Sequence, residues 1–193
     1  MALDTGCLLI DDPLCPIGAL DATARTLHEN GVWTEVFRWD GNGRLYASLQ
    51  KAYQRVRRDK ALNGIAAMGA GCDCALALAC QLPADRLVLL EPMDWRAPGE
   101  RARQPRRIRN FARQNAAFCV SDVLVITGEH TSDRHIARLR RELASARLTL
   151  LRSAGELWSN RKEVLNLGIF HFLQDGVLPK SLAENPEMCI IYG

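Results

Sequence analysis

The chain has 193 residues, of which 48% are apolar and 24% charged, with a net charge of +3. That length can bury a sizeable core and fits a single domain, and no apolar run approaches the ~20 residues needed to span a bilayer. A soluble globular protein with no membrane partner is expected, and the opening residues, Met1-Ala-Leu-Asp-Thr-Gly6, carry no secretion signal, which points to the cytoplasm.

Short apolar runs alternate with amphipathic segments, the pattern of a mostly parallel sheet with helices on both faces. Cys7-Leu-Leu-Ile10 is the first strand; Ile17, Leu20, Ala24 and Leu27 follow at helical spacing, and Asn30-Gly31 is the stop. Val36, Phe37 and Trp39 mark a second strand, Asp40 to Gly43 a turn, and Leu45 to Val56 the stripe of a second helix. Gly64 to Met68 is a third strand, and Ala75 to Cys80 a helix apolar all round, to be buried between the sheet and its neighbours. Leu87 to Leu90 is the fourth strand and Val123 to Ile126 the fifth. Ser132-Asp133 is a plausible cap for a helix striped by Ile136, Leu139 and Leu143. Leu148 to Leu151 completes six strands, and Asn160 with Glu163 resembles a capping box before the last long helix. The expected domain covers residues 1–174. The tail, 175–193, with Pro179, Pro186 and Cys189-Ile-Ile-Tyr192, is an extra edge strand or an arm that makes a homo-oligomer.

Seven cysteines lie scattered among apolar residues, without a C-x-x-C pair, and the four histidines never pair at the helical spacing of a zinc site. Reduced thiols, no structural metal and no cofactor are expected.

The run Gly64-Ile-Ala-Ala-Met-Gly-Ala-Gly-Cys-Asp-Cys-Ala-Leu-Ala-Leu-Ala-Cys-Gln-Leu-Pro83, followed by Asp85 to Pro92, resembles the strand, nucleophile elbow, helix and next strand of α/β-hydrolases. Val123 to Gly128 looks like the strand leading to that family's acid loop, and Ala154-Gly155-Glu156 sits where a Gly-His pair usually follows the last strand. The resemblance covers roughly Gly6 to Gln174 and implies a small, lid-poor α/β-hydrolase-like fold lacking the family's first two antiparallel strands.

The family's elbow reads G-x-S-x-G and holds the nucleophile at a positive φ. Aligned as Gly69-Ala70-Gly71-Cys72-Asp73, the elbow has Gly71 at the nucleophile's position, where it meets the dihedral demand and offers no attacking group. Asp73 then replaces the second glycine and suits a helix N-cap. Glu156 stands where the resemblance expects the base, Asp11-Asp12-Pro13 replaces the oxyanion loop, and only Asp133 is a candidate acid, with a cap role equally available to it. The implied protein is a pseudo-hydrolase binding a small molecule or a protein, with a crevice bordered by Asp11, Asp12, Gly71, Cys72, His130 and Glu156. Such an acidic lining favours a cation, an amine or a polyol.

Two other readings stay open. Cys72, activated by the helix N-terminus and His130, makes the chain a thiol-dependent esterase, although its plainer role is a small buried thiol. Gly69 to Cys74 with Glu91 twenty residues beyond Gly71 makes a partial dinucleotide fingerprint. Residues 93–119, a short basic lid-like helical insertion, include Arg103, Arg106 and Arg107, which could pair with an anion or form a solvated helix face; no motif there points to nucleic acid. Trp95 and Trp158 are candidates to line a pocket.

Overall fold

The computed structural model describes residues 4–12, 18–39, 45–93, 120–128, 131–153, 162–183 and 188–192. In chain order these form β1 (Thr5–Ile10), α1 (Asp21–Glu29), β2 (Val32–Phe37), α2 (Leu45–Arg57), β3 (Leu62–Met68), α3 (Gly71–Ala79) and β4 (Arg86–Leu90). After residues 94–119 come β5 (Asp122–Gly128), α4 (Asp133–Glu142), β6 (Arg147–Ser153), α5 (Lys162–Asp175), α6 (Lys180–Ala183) and β7 (Met188–Tyr192). The insertion expected at 93–119 falls outside the described residues after Met93, as does Asn160 of the expected capping box.

The sheet runs β2-β1-β3-β4-β5-β6-β7. Six strands are parallel, as the apolar runs predict, and the tail adds a seventh: β7 lies antiparallel on β6, with Leu150 opposite Ile191. Beyond the six expected strands, the tail adds a short edge strand of five residues. Of the two roles open to the tail, the structure shows the edge strand.

Alternation along the strands builds two cores. Cys7, Leu9, Ala66, Val88 and Leu124 point to one face, covered by Leu20 just before α1, by Leu27 of α1, and by Leu165, Ile169, Phe172 and Leu173 of α5. Leu8, Ile10, Ile65, Leu87 and Val125 point to the other, covered by Tyr53 and Val56 of α2, Ala75 and Leu78 of α3, and Ile136 and Leu139 of α4. Each fully buried leucine or phenylalanine contributes about 1.5–3 kcal/mol relative to an exposed one. Gly31, with φ +84°, ends the α1 unit as its sequence indicates.

The strand order fixes where a site can form. From β1 the chain moves outward to β2 and then crosses back to β3 on the other side of β1, so the loops after β1 and β3 diverge at the carboxyl edge of the sheet. Open parallel sheets bind ligands at such a switch point. Asp11 and Asp12 follow β1 there, and Gly69 to Gly71 follow β3.

Candidate functional site at the carboxyl edge

The turn between β3 and α3 is the centre of this edge. Gly69 has φ +55°, in the left-handed region that favours glycine, whereas Gly71 does not and is already the first residue of α3, with Ala70 as its N-cap. The left-handed residue of this turn is therefore Gly69, two residues before Gly71, where the positive φ was expected, and Asp73 lies in the first helical turn instead of at the cap. The run Ala67-Met68-Gly69-Ala70-Gly71 offers a second register with small residues at both ends, and only the backbone dihedral distinguishes the two. Gly69 N–H donates to the Leu90 carbonyl at 2.9 Å, and Cys72 N–H to the Gly69 carbonyl at 3.2 Å, which ties the turn to β4 and closes it.

Gly71 is small for a different reason. A Cβ there would stand 2.9 Å from the carbonyl oxygens of both Ile10 and Asp11, so the start of α3 packs directly on the end of β1. That approach brings Asp12 over the apex: a Cβ on Gly69 would lie 2.7 Å from Asp12 Cγ and 3.3 Å from its Cβ. The carboxylate of Asp12 occupies the space an elbow side chain would need.

Asp11 plays another part. Its carboxylate is buried, accepts from Arg38 Nε at 3.3 Å, and accepts from the backbone N–H of Asp12 at 3.1 Å. Arg38 also pairs with Asp21 of α1. Asp11 thus anchors the loop through its ion pair with Arg38.

Cys72 lies in the first turn of α3 with its thiol buried, donating toward the carbonyls of Ala67 at 3.3 Å and Leu90 at 3.5 Å. Burial pushes this thiol well above its ordinary range, and the negative charges of Asp73 and Asp12 add to the rise, outweighing the Leu90 hydrogen bond. Cys74 is likewise pushed up, by burial and then by Asp73 and Asp12, to about 12. At this helix N-terminus desolvation and two carboxylates oppose the thiolate that the dipole favours.

The candidate acid, Asp133, is the first residue of α4, with its side chain 90% exposed and paired with Arg152 Nη1 of β6 at 3.0 Å. The cap belongs to Ser132, whose Oγ accepts from His135 N–H at 3.2 Å. His130, Glu156, Arg103, Arg106, Arg107, Trp95 and Trp158 lie outside the described residues. The structure brings Asp11, Asp12, Gly71 and Cys72 together at one end of the sheet and sets Asp133 beyond β5, at the start of α4.

Sequence reasoning missed three features of this edge. Glu91, directly after β4, has φ +46°, an uncommon conformation for a residue with a side chain, and its Oε1 presses toward Gly128 at the end of β5. His135 is buried on α4, its Nε2 donating to the Pro92 carbonyl at 2.7 Å and its Nδ1 accepting from Arg138 Nη2 at 2.9 Å, which fixes the tautomer. Trp39 Nε1 and Thr127 Oγ1, just past or near the ends of β2 and β5, are buried without a hydrogen-bond partner among the described residues. The capping serine gave a local signal for the start of α4, and Glu91 entered the sequence reading only as the acid of the partial dinucleotide fingerprint; nothing local marks its backbone conformation or the burial of the polar atoms of Trp39 and Thr127.

No group of three or more metal-binding side chains occurs among the described residues, and no helix among them is long and apolar enough to cross a membrane. No family model and no curated protein matches the sequence. Solved structures do. A structure from work on LipS and LipT, two metagenome-derived lipolytic enzymes, is similar with a TM-score of 0.71 at 12% identity, over 89% of this chain and 94% of that one. The esterase domain of a Rhodothermus marinus protein gives 0.53 at 14% identity, over 86% of each chain. S-formylglutathione hydrolase (FrmB) from Staphylococcus aureus gives 0.55 at 10% identity, over 86% of this chain and 80% of that one. At these identities the likeness is one of fold, and the chain has the α/β-hydrolase-like architecture of those esterases and lipolytic enzymes.

Proposed function

We propose that this chain is a non-hydrolytic α/β-hydrolase-like protein whose carboxyl-edge crevice binds a small amine, cation or polyol. One observation carries the reading: the left-handed apex is Gly69, without an attacking side chain, and the Asp12 carboxylate fills the space above it. Acyl transfer needs a nucleophile at that apex and donors facing a developing oxyanion, and a fixed carboxylate opposes negative charge at the same place. The orphaned Trp39 Nε1 and Thr127 Oγ1 support a ligand or ordered water at this edge, because buried polar atoms rarely stay unpaired.

A second reading, an acyl hydrolase, is supported by the character of the structural neighbours: lipolytic enzymes, an esterase domain and a hydrolase. In the form that uses Cys72, the thiol would have to leave the Ala67 and Leu90 carbonyls before it could attack. For the dinucleotide reading, the third glycine of the fingerprint is replaced by Cys74 of α3, whose side chain is buried in the core.

A panel of short acyl esters assayed with wild type and Cys72→Ala separates the first two. Turnover by wild type that disappears in Cys72→Ala establishes the thiol esterase, turnover retained in both establishes a hydrolase with another nucleophile, and no turnover supports the binding reading. Thermal-shift titration with diamines, polyols and nucleotides then identifies the ligand class.

A further inference from the structure

We propose that the outer surface of α2 and α4 is a docking face for a nucleic-acid duplex, held through its phosphate backbone without regard to base sequence. The inference is independent of what the carboxyl-edge crevice binds.

The net charge of +3 conceals an asymmetry between the two sides of the sheet. On one side α2 has three cations and no acid, α3 one aspartate, and α4 four arginines against two acids, a net +4 with histidine neutral. On the other side α1 and α5 each have two acids against one cation, a net −2. Acids beside the basic surface are engaged within the chain: Glu35 with Arg55, Asp59 with Arg58 at 3.8 Å, Asp133 with Arg152 at 3.0 Å and Glu142 with Arg138 at 3.7 Å. Lys51 and Arg57 of α2 and Arg134, Arg140 and Arg141 of α4 have no ion pair among the described residues. All but the half-buried Arg57 are exposed.

The spacing of these cations fits a polymer and not a small anion. Arg134 and Arg141 stand two helical turns apart, about 10 Å along one side of α4, and the exposed Ala137 leaves a flat path between them. α2 packs over β1 and β2, α4 joins β5 to β6, and β3 and β4 lie between, so strand spacing sets the two ridges roughly 15 Å apart. No single carboxylate or phosphate reaches both ridges, whereas a charged backbone does. Arginine suits that role because its guanidinium meets a phosphate with two parallel N–H donors.

The surface also lacks what other large partners need. The exposed large apolar side chains among the described residues are Trp33 on the edge strand β2, Val164 and Leu167 on α5, and Val177 after it; none is on α2, α3 or α4. Protein partners take most of their affinity from buried aromatic and apolar anchors, single strands stack their bases on aromatics, and membrane-surface helices insert apolar side chains. Duplex backbone binding needs cations alone.

The test is fluorescence anisotropy of two labelled DNA duplexes of unrelated sequence, titrated from low to physiological salt. The proteins are wild type, an α4 variant (Arg134→Gln, Arg140→Gln, Arg141→Gln), an α2 variant (Lys51→Gln, Arg57→Gln) and Arg25→Gln on α1 as the control. Wild type should bind both duplexes equally, with log affinity falling against log salt at a slope of about −4 to −5 if all five cations meet phosphates. The α4 variant should bind about tenfold more weakly or worse at low salt, with a slope smaller by about 3, and the α2 variant should lose about 2 from the slope. Arg25→Gln should bind like wild type, and unchanged melting temperatures should show that the losses are not unfolding. Absent binding at low salt, or a slope near zero, overturns the proposal. So do α2 and α4 variants that bind as tightly as wild type, which would move the contact to another segment such as the arginine-rich residues 96–113. Tighter binding to polyglutamate or to phosphatidylserine vesicles than to duplex also overturns it, by assigning the face to an acidic protein or a membrane.

Discussion

Cys72 Sγ lies 3.3 Å from the carbonyl oxygen of Ala67, five residues earlier at the end of β3, so the thiol turns into the core that also holds Cys74. A thiol in that position is protonated and shielded at neutral pH, since its environment disfavours the anion. Iodoacetamide footprinting at pH 8, read by peptide mass spectrometry, should leave Cys7, Cys72 and Cys74 unlabelled in the native protein, with Cys80, which is only partly buried, labelled sooner. All four should label in urea. Rapid native labelling of Cys72 would restore it as a nucleophile.

The same buried thiols predict alkaline instability. Cys7, through burial, and Cys74, through burial and the neighbouring carboxylates, are both raised from 9.0 to about 12, and their protonated forms are neutral. Between those values the unfolded chain has lost protons that the folded chain keeps. Stability is therefore fully present below pH 9 and is lost as pH rises toward 12, by on the order of 1 kcal/mol per pH unit for each thiol. Urea unfolding at pH 8, 9.5 and 10.5 should show the fall, and Cys7→Ala should flatten its slope.

Arg38 neutralises a buried carboxylate from a position that is itself partly exposed. Arg38→Met should cost about 1–3 kcal/mol, because it leaves Asp11 buried without its guanidinium while solvent at the rim offsets part of the loss. In an Asp11→Asn background the same substitution should cost clearly less. Equilibrium urea denaturation of the four proteins in this cycle measures the coupling.

Gly71→Ser tests which register the elbow uses. A side chain there meets two backbone carbonyls at 2.9 Å, so the variant should lose about 1–3 kcal/mol and gain no ester hydrolysis. A stable variant that hydrolyses short acyl esters would place the apex at Gly71 after all.

Much of the architecture was legible in the chain because parallel strands buried on both faces appear as short apolar runs, and their helices show a 3.6-residue stripe. The six parallel strands, the Gly31 stop and the α2 stripe all follow from local sequence. The site was only half legible. Asp11, Asp12 and the glycine-rich turn could be assigned to strand ends, but the apex could not, since Gly69 and Gly71 are chemically identical and differ only in the dihedral that packing on β1 and β4 imposes. The sequence by itself determined the order of strands and helices and the concentration of carboxylates after the strands. Only the tertiary structure decided that Asp11 belongs to an ion pair, that Cys72 faces the core, that the tail closes the sheet edge and that Asp12 fills the space over Gly69. Each of these depends on a contact between segments far apart in the chain, which no local pattern encodes.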